Sequence, residues 1–534
     1  MGKSALNWIN RKDALGLRMP FLKRWVLRLV VALGGLSFGC GSKESTSPDA
    51  FSPPPDAFVS KAPPPPSGPP KRIYVKRFLA RVFAAPDPKA SRIGYLRAGS
   101  VHQAKTSEPI GHEGCRGGWY ELEVGGFVCS GREVIAFEGR KLPERPPSQP
   151  DLSSELPYRY ARVRRDFLPL YRRIPTSEEA ARYESFRQPL PPPDPTQQGA
   201  PSGTSSPPLP EEPDPMEYIV PTLSALKGKR NELVLRRVLR GFILAIDREI
   251  ESSNGRRYWK TLANEYLSYN GIESPRKEAF ISEGYFRGVV LLPEGEGPGD
   301  FGHIHLPPPV GFVMSSNASA YRRDGKGHLQ RLRGPGYRAP ISIAGEHEIN
   351  GVRYYESRDG LLFRTSDVRA IPLATQLPQG VGPNDQWIDI DLSLQSLVAY
   401  EGLKPVFVTL VSSGRVRDPM DPLRDFRTPT GLFRIASKHI THTMDGDHAT
   451  DGPYAIQEVP YVMYFQLANA LHSAFWHNRF GRPRSHGCVN LSPRDAQWLF
   501  HWAGPRLPPG WHGVYPHEGN PSAWVYVHGE TPEG

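Results

Sequence analysis

Residues 471–492 read LHSAFWHNRFGRPRSHGCVNLS: a strand ending at His472, a basic, turn-rich connection, and a second element that Cys488 opens. A thiol with an ordinary pKa of about 8.5 is mostly protonated at neutral pH, so a nucleophilic cysteine needs a base or a positive field beside it. His472 and His486 are the two candidate bases. His486 and Cys488 are two apart, so on extended backbone they share a face. Gly487 between them permits a tight bend, where the amides of Gly487 and Cys488 converge as donors for an oxyanion, usually a large contribution to acyl transfer. Arg482 and Arg484 add positive potential that favours thiolate. Beyond Pro493, Asp495 suits the first turn of a helix over 495–502.

Taken singly, each residue has a bland reading: Cys488 as a small buried apolar side chain, either histidine as a structural one. The string Ser-His-Gly-Cys-Val-Asn-Leu-Ser at this distance behind Leu-His is a rare combination. Residues 485–488 with His472 resemble the nucleophile motif of the L,D-transpeptidase catalytic domain of the YkuD type, and the resemblance extends over roughly 386–516. Upstream, RTPTGLF at 427–433 matches the family's Thr-Pro-x-Gly-x-Phe strand entry. Residues 387–400, with Ile388, Ile390 and Leu392 alternating, look like its first hairpin. Residues 399–409 and 460–465 supply further strands, and 438–454 a mobile flap.

The resemblance implies roles. Cys488 is the nucleophile and His472 the general acid and base, oriented by the backbone of Ser473, which stands where the family usually has glycine. His486 supports the site, and Gly487 lends its amide to the oxyanion. Asn490, in place of the commoner arginine, Arg484 and Trp476 hold substrate. The implied reaction is a two-step acyl transfer: Cys488 attacks the carbonyl between the third residue of a peptidoglycan stem tetrapeptide and its terminal D-alanine, and a second stem's amine then takes the acyl group. Carbapenem-type β-lactams are the expected inhibitors. If water or a protein lysine attacks instead, the same nucleophile makes an L,D-carboxypeptidase or a wall-anchoring transpeptidase. A non-catalytic wall-binding lipoprotein is the reading from a different class. No cofactor or metal is required, since Asp445, Asp447 and Asp451 miss helix–loop–helix calcium spacing at Ala449.

The N-terminus reads as a targeting segment. Lys23, Arg24 and Arg28 precede a short apolar run at 29–38 that ends at Gly39 and Cys40. Ten apolar residues are too few for a spanning helix. The segment looks like a lipoprotein signal with Cys40 as the acylated residue, starting at Met1 or Met19; a plain secretory signal or short anchor is the alternative. The expected location is the cell envelope, lipid-anchored and facing the periplasm. With 58 prolines, 52 glycines and a formal charge of +11, the chain carries proline-rich tracts at 47–70 and 189–215 that read as tethers. The basic balance suits a polyanionic envelope, and no nucleic-acid motif accompanies it.

Export permits disulfides. Cys115 and Cys129 flank Gly-Gly-Trp-Tyr at 117–120, a turn entering a strand, and a bridge across neighbouring strands is plausible there; metal binding by two cysteines without further ligands is the poorer reading. Short alternating runs over 76–135 make a small antiparallel barrel that resembles bacterial Src-homology-3-like wall modules. Similar rhythms around Trp259 and around Tyr354 suggest two more, with Trp119 and Trp259 as core rather than ligand-stacking residues. His303 and His305 read as strand histidines or, with a third ligand, as a metal pair.

The expected architecture is mainly β and multidomain: SH3-like β-barrel modules, then a YkuD-type β-sandwich with a short C-terminal helix. The expected order is a signal (1–40), a tether (41–72), an SH3-like barrel (73–140) and a linker with a short helix at 178–186 and a Pro/Gly/Ser tract (141–220). A second module (221–300), a third (308–380), the catalytic domain (385–518) and a tail (519–534) follow.

Overall fold

The computed structural model describes residues 68–532 apart from 140–141, 143–145, 185–221, 230–231, 277–279, 282–283, 300, 417–424 and 450–451. The signal, Cys40, nearly all of the first tether and the 189–215 tract lie outside the described residues. Among the described residues the protein is mainly β, with two α-helices, Ser177–Glu184 and Pro493–Trp502. No described helix is long and apolar enough to cross a membrane.

The C-terminal region is built on two sheets. In the first, Gln386–Asp391 pairs antiparallel with Ser396–Glu401, which pairs with Lys404–Leu410. Strict alternation sends Ile388, Ile390, Leu397 and Ala399 to one face, where they are fully buried. Trp387, Val398 and Tyr400 go to the other, where the Trp387 and Tyr400 rings stack 4.3 Å apart. A strand buried on both faces needs a cover on each side. The second sheet supplies one, through the long hairpin Ser437–Ala449 and Gly452–Gln466, then Asn469–Ser473 and Val489–Leu491. Helix Pro493–Trp502 is the other part of that core, contributing Ala496, Trp498 and Leu499. Ser492 caps it, its side chain accepting from the Asp495 amide.

Several expected boundaries are corrected. Residues 519–534 are no tail: Trp524–His528 lies in the first sheet, parallel to Gln386–Asp391 and antiparallel to Gly431–Arg434, with Val525 and Val527 in the core. Residues 141–220 are not all linker. Arg159–Arg162 pairs with Ile243–Glu251, and Leu168–Tyr171 with Val234–Val238, so the second module draws strands from both sides of the proline-rich tract. Its core holds Leu168, Leu170, Leu244, Trp259 and Leu267. The far end of 221–300 leaves that module, because Val289–Val290 pairs with Lys404–Leu410 and extends the first catalytic sheet. Nor is all of 438–454 a flap: Lys438 is 1% exposed, and its ammonium binds the carbonyls of Phe500 and Ala503 at the end of the helix.

The other two modules are small sheets with cores of their own. Residues 310–370 give seven strands around Val313, Ile343 and Phe363. Their longest hairpin, Pro340–Ile349 with Val352–Ser357, turns at Asn350 and Gly351, both at positive φ (53° and 77°) as a type I′ turn requires. The first module runs from Arg72–Val75 to Val134–Phe137. Its strand Arg92–Arg97 pairs with Gly513–Val514, joining the module edge-on to the catalytic region. Gly94 makes that approach feasible, since a Cβ there would lie 2.5 Å from the Gly513 carbonyl oxygen and the Trp511 ring.

Cys115 and Cys129 are joined by a disulfide, Cα atoms 5.7 Å apart, beside the buried Trp119 and Phe83. Closing so short a loop is worth about 3 kcal/mol. Replacing both cysteines by alanine is expected to cost the first module that amount in denaturant unfolding, and reductant should have no further effect on the double variant.

Candidate active site

Asn469–Ser473 and Val489–Leu491 run parallel in register Leu471↔Val489 and His472↔Asn490. Paired residues in a parallel ladder point the same way, and successive ones alternate. Leu471, Val489 and Leu491 therefore enter the sandwich core, while Ala470, His472, Cys488 and Asn490 share the opposite face. The strand pair thus carries the imidazole and the sulfur on one side.

The loop before Cys488 is held from below. Arg484 and Ser485 both donate their amides to the Ser413 carbonyl (2.8 and 2.9 Å), and Gly481 donates to Val411 (2.8 Å). Thr428, the threonine of the 427–433 motif, donates to the Gly487 carbonyl at 3.0 Å and accepts from the Gly414 amide at 2.9 Å. Gly487 sits at φ 113°, and a Cβ would come within 2.4 Å of the Asn469 side-chain oxygen, so both backbone and space exclude other residues.

His472 is 3% exposed. Its Nδ1 lies 3.0 Å from the Ser473 carbonyl oxygen, which holds the proton on Nδ1 and leaves Nε2 as the basic nitrogen. Trp476 stacks on its ring, 5.8 Å between centroids and 26° apart in plane. Burial pushes His472 down to about 4, with the Ser473 carbonyl pulling the other way. Cys488 is the free cysteine of the described residues and is partly buried. Burial pushes its thiol up to about 11, and the Ala470 backbone opposes this. Its Sγ is 3.7 Å from the Ala468 carbonyl oxygen.

Burial acts against the expected thiolate. Arg482 and Arg484 are exposed and line a cleft beside the loop, and neither is among the groups that shift the sulfur. Burial thus disfavours the charged form of both groups, the thiolate and the imidazolium. Iodoacetamide labelling of the Cys488 peptide is accordingly expected to be slow at pH 7 and to climb towards pH 11. A rate already at its plateau by pH 7 would contradict the burial argument.

The other expected site residues lie around the same loop. The segment 485–488 is bent, not extended. His486 is stacked on Tyr454 (5.4 Å, 10°) with the Phe426 ring edge-on at 4.7 Å. Its Nε2 is buried without a hydrogen-bond partner, and burial followed by Arg415 pushes it to about 4. The Gly487 amide donates to the Ser485 hydroxyl at 3.2 Å, so it is engaged inside the loop instead of being presented to an oxyanion. Asn490 is 3% exposed and turns inward, its Nδ2 3.0 Å from His477 Nε2, with its amide and carbonyl bound to Ser412. These bonds tie Val489–Leu491 to Ser412 and to the loop at His477. The Ser473 hydroxyl is buried without a partner, so its contribution to His472 comes through the carbonyl alone.

Residues the motif did not indicate complete the surroundings. Tyr454 and Tyr464 lie close enough to Cys488 for its charge to raise their phenols after burial does so. Tyr285, from the segment before Val289–Val290, binds the carbonyls of Ala474 and His477 on either side of Trp476. His303 and His305 serve the fold: His303 Nε2 is 2.9 Å from Asp495 Oδ1, and His305 Nδ1 is 2.9 Å from the Leu292 carbonyl. Among the described residues no group of three or more His, Cys, Asp or Glu is placed to hold a metal ion.

Several solved structures are similar. An L,D-transpeptidase from Stackebrandtia nassauensis is 22% identical, the alignment covering 30% of this chain and 60% of that one, with TM-score 0.21; the match thus spans under two thirds of that protein. The catalytic domain of the E. faecium L,D-transpeptidase is 25% identical over 27% of this chain and 98% of that one, TM-score 0.20. L,D-transpeptidase 3 from Mycobacterium tuberculosis, solved with a faropenem-derived adduct, is 18% identical over 35% and 78%, TM-score 0.21. No curated protein matches the chain. Residues 385–526, which hold His472, Cys488 and the strand Trp524–His528 up to Tyr526, match the YkuD family, the L,D-transpeptidase catalytic domain.

Proposed function

We propose that this protein is an L,D-transpeptidase of the cell envelope that cross-links peptidoglycan stem peptides through Cys488. The observation that carries the reading is the common face of His472 and Cys488 within the segment that matches the catalytic domain. In the first step Sγ of Cys488 bonds to the carbonyl carbon before the terminal D-alanine, while His472 Nε2 takes the thiol proton. The C–N bond breaks, D-alanine leaves as an amine with that proton, and a thioester remains. An amine of a second stem then attacks the thioester carbon, loses a proton to His472, and frees the thiol. The Cys488 amide is the backbone donor left for the oxyanion, and Gly487 joins it only if its bond to Ser485 is given up.

Carbapenem-type β-lactams would acylate the same sulfur. The three upstream modules are read as SH3-like wall-binding units and Cys40 as the lipid attachment point, which together would hold the catalytic face against the wall from a membrane facing the periplasm. Incubating the protein with disaccharide tetrapeptides and following products by mass spectrometry tests the reading. Loss of D-alanine with a new dimer supports it; loss of D-alanine without dimer assigns a carboxypeptidase; no loss of D-alanine defeats it.

A further inference from the structure

The loop that leads into Cys488 has a second face. Between it and the 310–370 module lies a cleft of about 440 Å³. Arg479, Arg482 and Arg484 line one wall, and Met314, Ser316 and Tyr337 of the module line the other. All three arginines are exposed, and none forms an ion pair with a described residue. Surface guanidinium groups are usually paired or spread apart; three within six residues, converging on one concavity, are an unneutralised positive site. Their field is felt nearby: His477 is pushed down to about 3 by burial and then by Arg484, and Arg482 lowers Arg369 in the same direction after burial does so.

The cleft is also built rather than incidental. Arg369 of the module fixes the loop by donating to the Gly481 carbonyl at 3.0 Å, and Arg338 donates to the Asn478 carbonyl at 2.9 Å. Gly481, at φ 95°, lets the module close in, since a Cβ there would lie 3.0 Å from the Met314 methyl. The amides of Gly481, Arg484 and Ser485 are stapled to 411–413, so the arginine wall is carried on rigid backbone. Arg484 is four residues from Cys488, a separation that extended backbone limits to about 14 Å. That is the reach of a short extended peptide.

We infer that this cleft binds the free carboxylates of a stem peptide whose reacting carbonyl lies at Cys488, so that the 310–370 module forms one wall of the substrate site. Planar guanidinium groups suit carboxylates geometrically as well as by charge, and Tyr337 offers an apolar face to the peptide between them. The inference rests on the transpeptidase reading for the identity of the peptide, but the cleft's preference for carboxylate does not need turnover.

The full chain carrying Cys488→Ala is titrated with a stem tetrapeptide in its free-carboxylate form and in the form whose side carboxylates are amidated. The carboxylate form is expected to bind about tenfold tighter or more, with the advantage shrinking as salt rises. Arg479→Gln with Arg482→Gln should remove that advantage and leave the carboxamide form unchanged, and Ser316→Glu on the opposite wall should weaken the carboxylate form alone. Equal binding of both peptide forms, or an arginine double variant that still prefers carboxylate, overturns the inference. So does a polyglycerol phosphate chain that competes more strongly than the peptide, which would make the cleft a phosphate site. A carboxylate preference in the Cys488→Ala chain, together with no D-alanine release by the unsubstituted chain, would defeat the transpeptidase reading and leave the cleft standing.

Discussion

Alanine at position 488 is expected to abolish D-alanine release, a loss of about 10⁴-fold or more, because Cys488 is the free cysteine of the described residues and the proposed acyl transfer runs through its sulfur. The fold should be untouched, since the side chain removed is small and only partly buried. Carbapenem acylation should vanish with turnover, read as the absence of a mass increment on the intact protein. His472→Ala removes the base but leaves the sulfur, so turnover should fall by about 10²–10⁴-fold. The two variants separate two kinds of cysteine site. In a preformed thiolate site, losing the histidine would raise the pH at which the thiol labels. Here burial already pushes the thiol up to about 11. His472→Ala should therefore leave the labelling profile almost where it was while destroying turnover. A labelling midpoint that starts near neutral and moves up by several pH units in the variant would instead identify a preformed thiolate.

What could be read from the sequence was what is local. Alternation at Ile388 and Ile390 yields the first hairpin, because one buried face at period two leaves a mark on adjacent residues. The helix behind Pro493 and the turn at Cys488 are likewise written in neighbouring residues. The edges that failed are the non-local ones. Arg159–Arg162 finds its partner, Ile243–Glu251, across the proline-rich tract, and Trp524–His528 inserts parallel to a strand more than a hundred residues earlier. No pattern within either segment names its partner. The candidate site divides the same way. The motif placed His472 and Cys488 near one another in sequence, but their burial was not legible, because it depends on what packs above them. Phe475 and Ala470 share a cluster with Tyr160, Ile243 and Phe280 of the second module, and Cys488 lies at its edge. Desolvation by another module is invisible in a motif, and it acts against the effect expected from the nearby arginines.

Truncating Arg97 is expected to destabilise the protein more than any exposed charge change, by about 3–5 kcal/mol. Arg97 of the first module is 8% exposed and lies 2.5 Å from a carboxylate oxygen of Glu458, itself 3% exposed on the long catalytic hairpin. Glu458 is a junction. Its other oxygen accepts from Thr441, whose hydroxyl is 3.0 Å from His512, and its carbonyl accepts from Tyr160 of the second module. Its backbone holds φ 54°, a conformation that costs energy in a residue with a side chain and persists because partners on several sides fix it. Arg97→Ala leaves the carboxylate buried with a hydroxyl for company, and the Arg97 guanidinium also gives up its place 3.6 Å over the Phe78 ring. The loss should appear as faster hydrogen exchange in Arg92–Arg97 and its partner Gly513–Val514, with a lower denaturation midpoint. Its pH dependence identifies the cause. His439 and His512 are buried and held well below their usual range, with Arg97 contributing to both. A group whose folded pKa is depressed contributes stability that is lost as pH falls below its unfolded value, about 6.5 for histidine. The parent protein should therefore weaken on going from pH 7.5 to 5.5. In Arg97→Ala the positive charge is gone and Glu458 is uncompensated, so His512 regains protons, and the variant should lose less over that interval. The stability gap is expected to narrow on acidification, and Arg97→Ala combined with Glu458→Gln should recover part of it at neutral pH. A gap that is constant from pH 7.5 to 5.5, or a double variant no better than the single, would mean that lost packing and not a stranded carboxylate sets the cost.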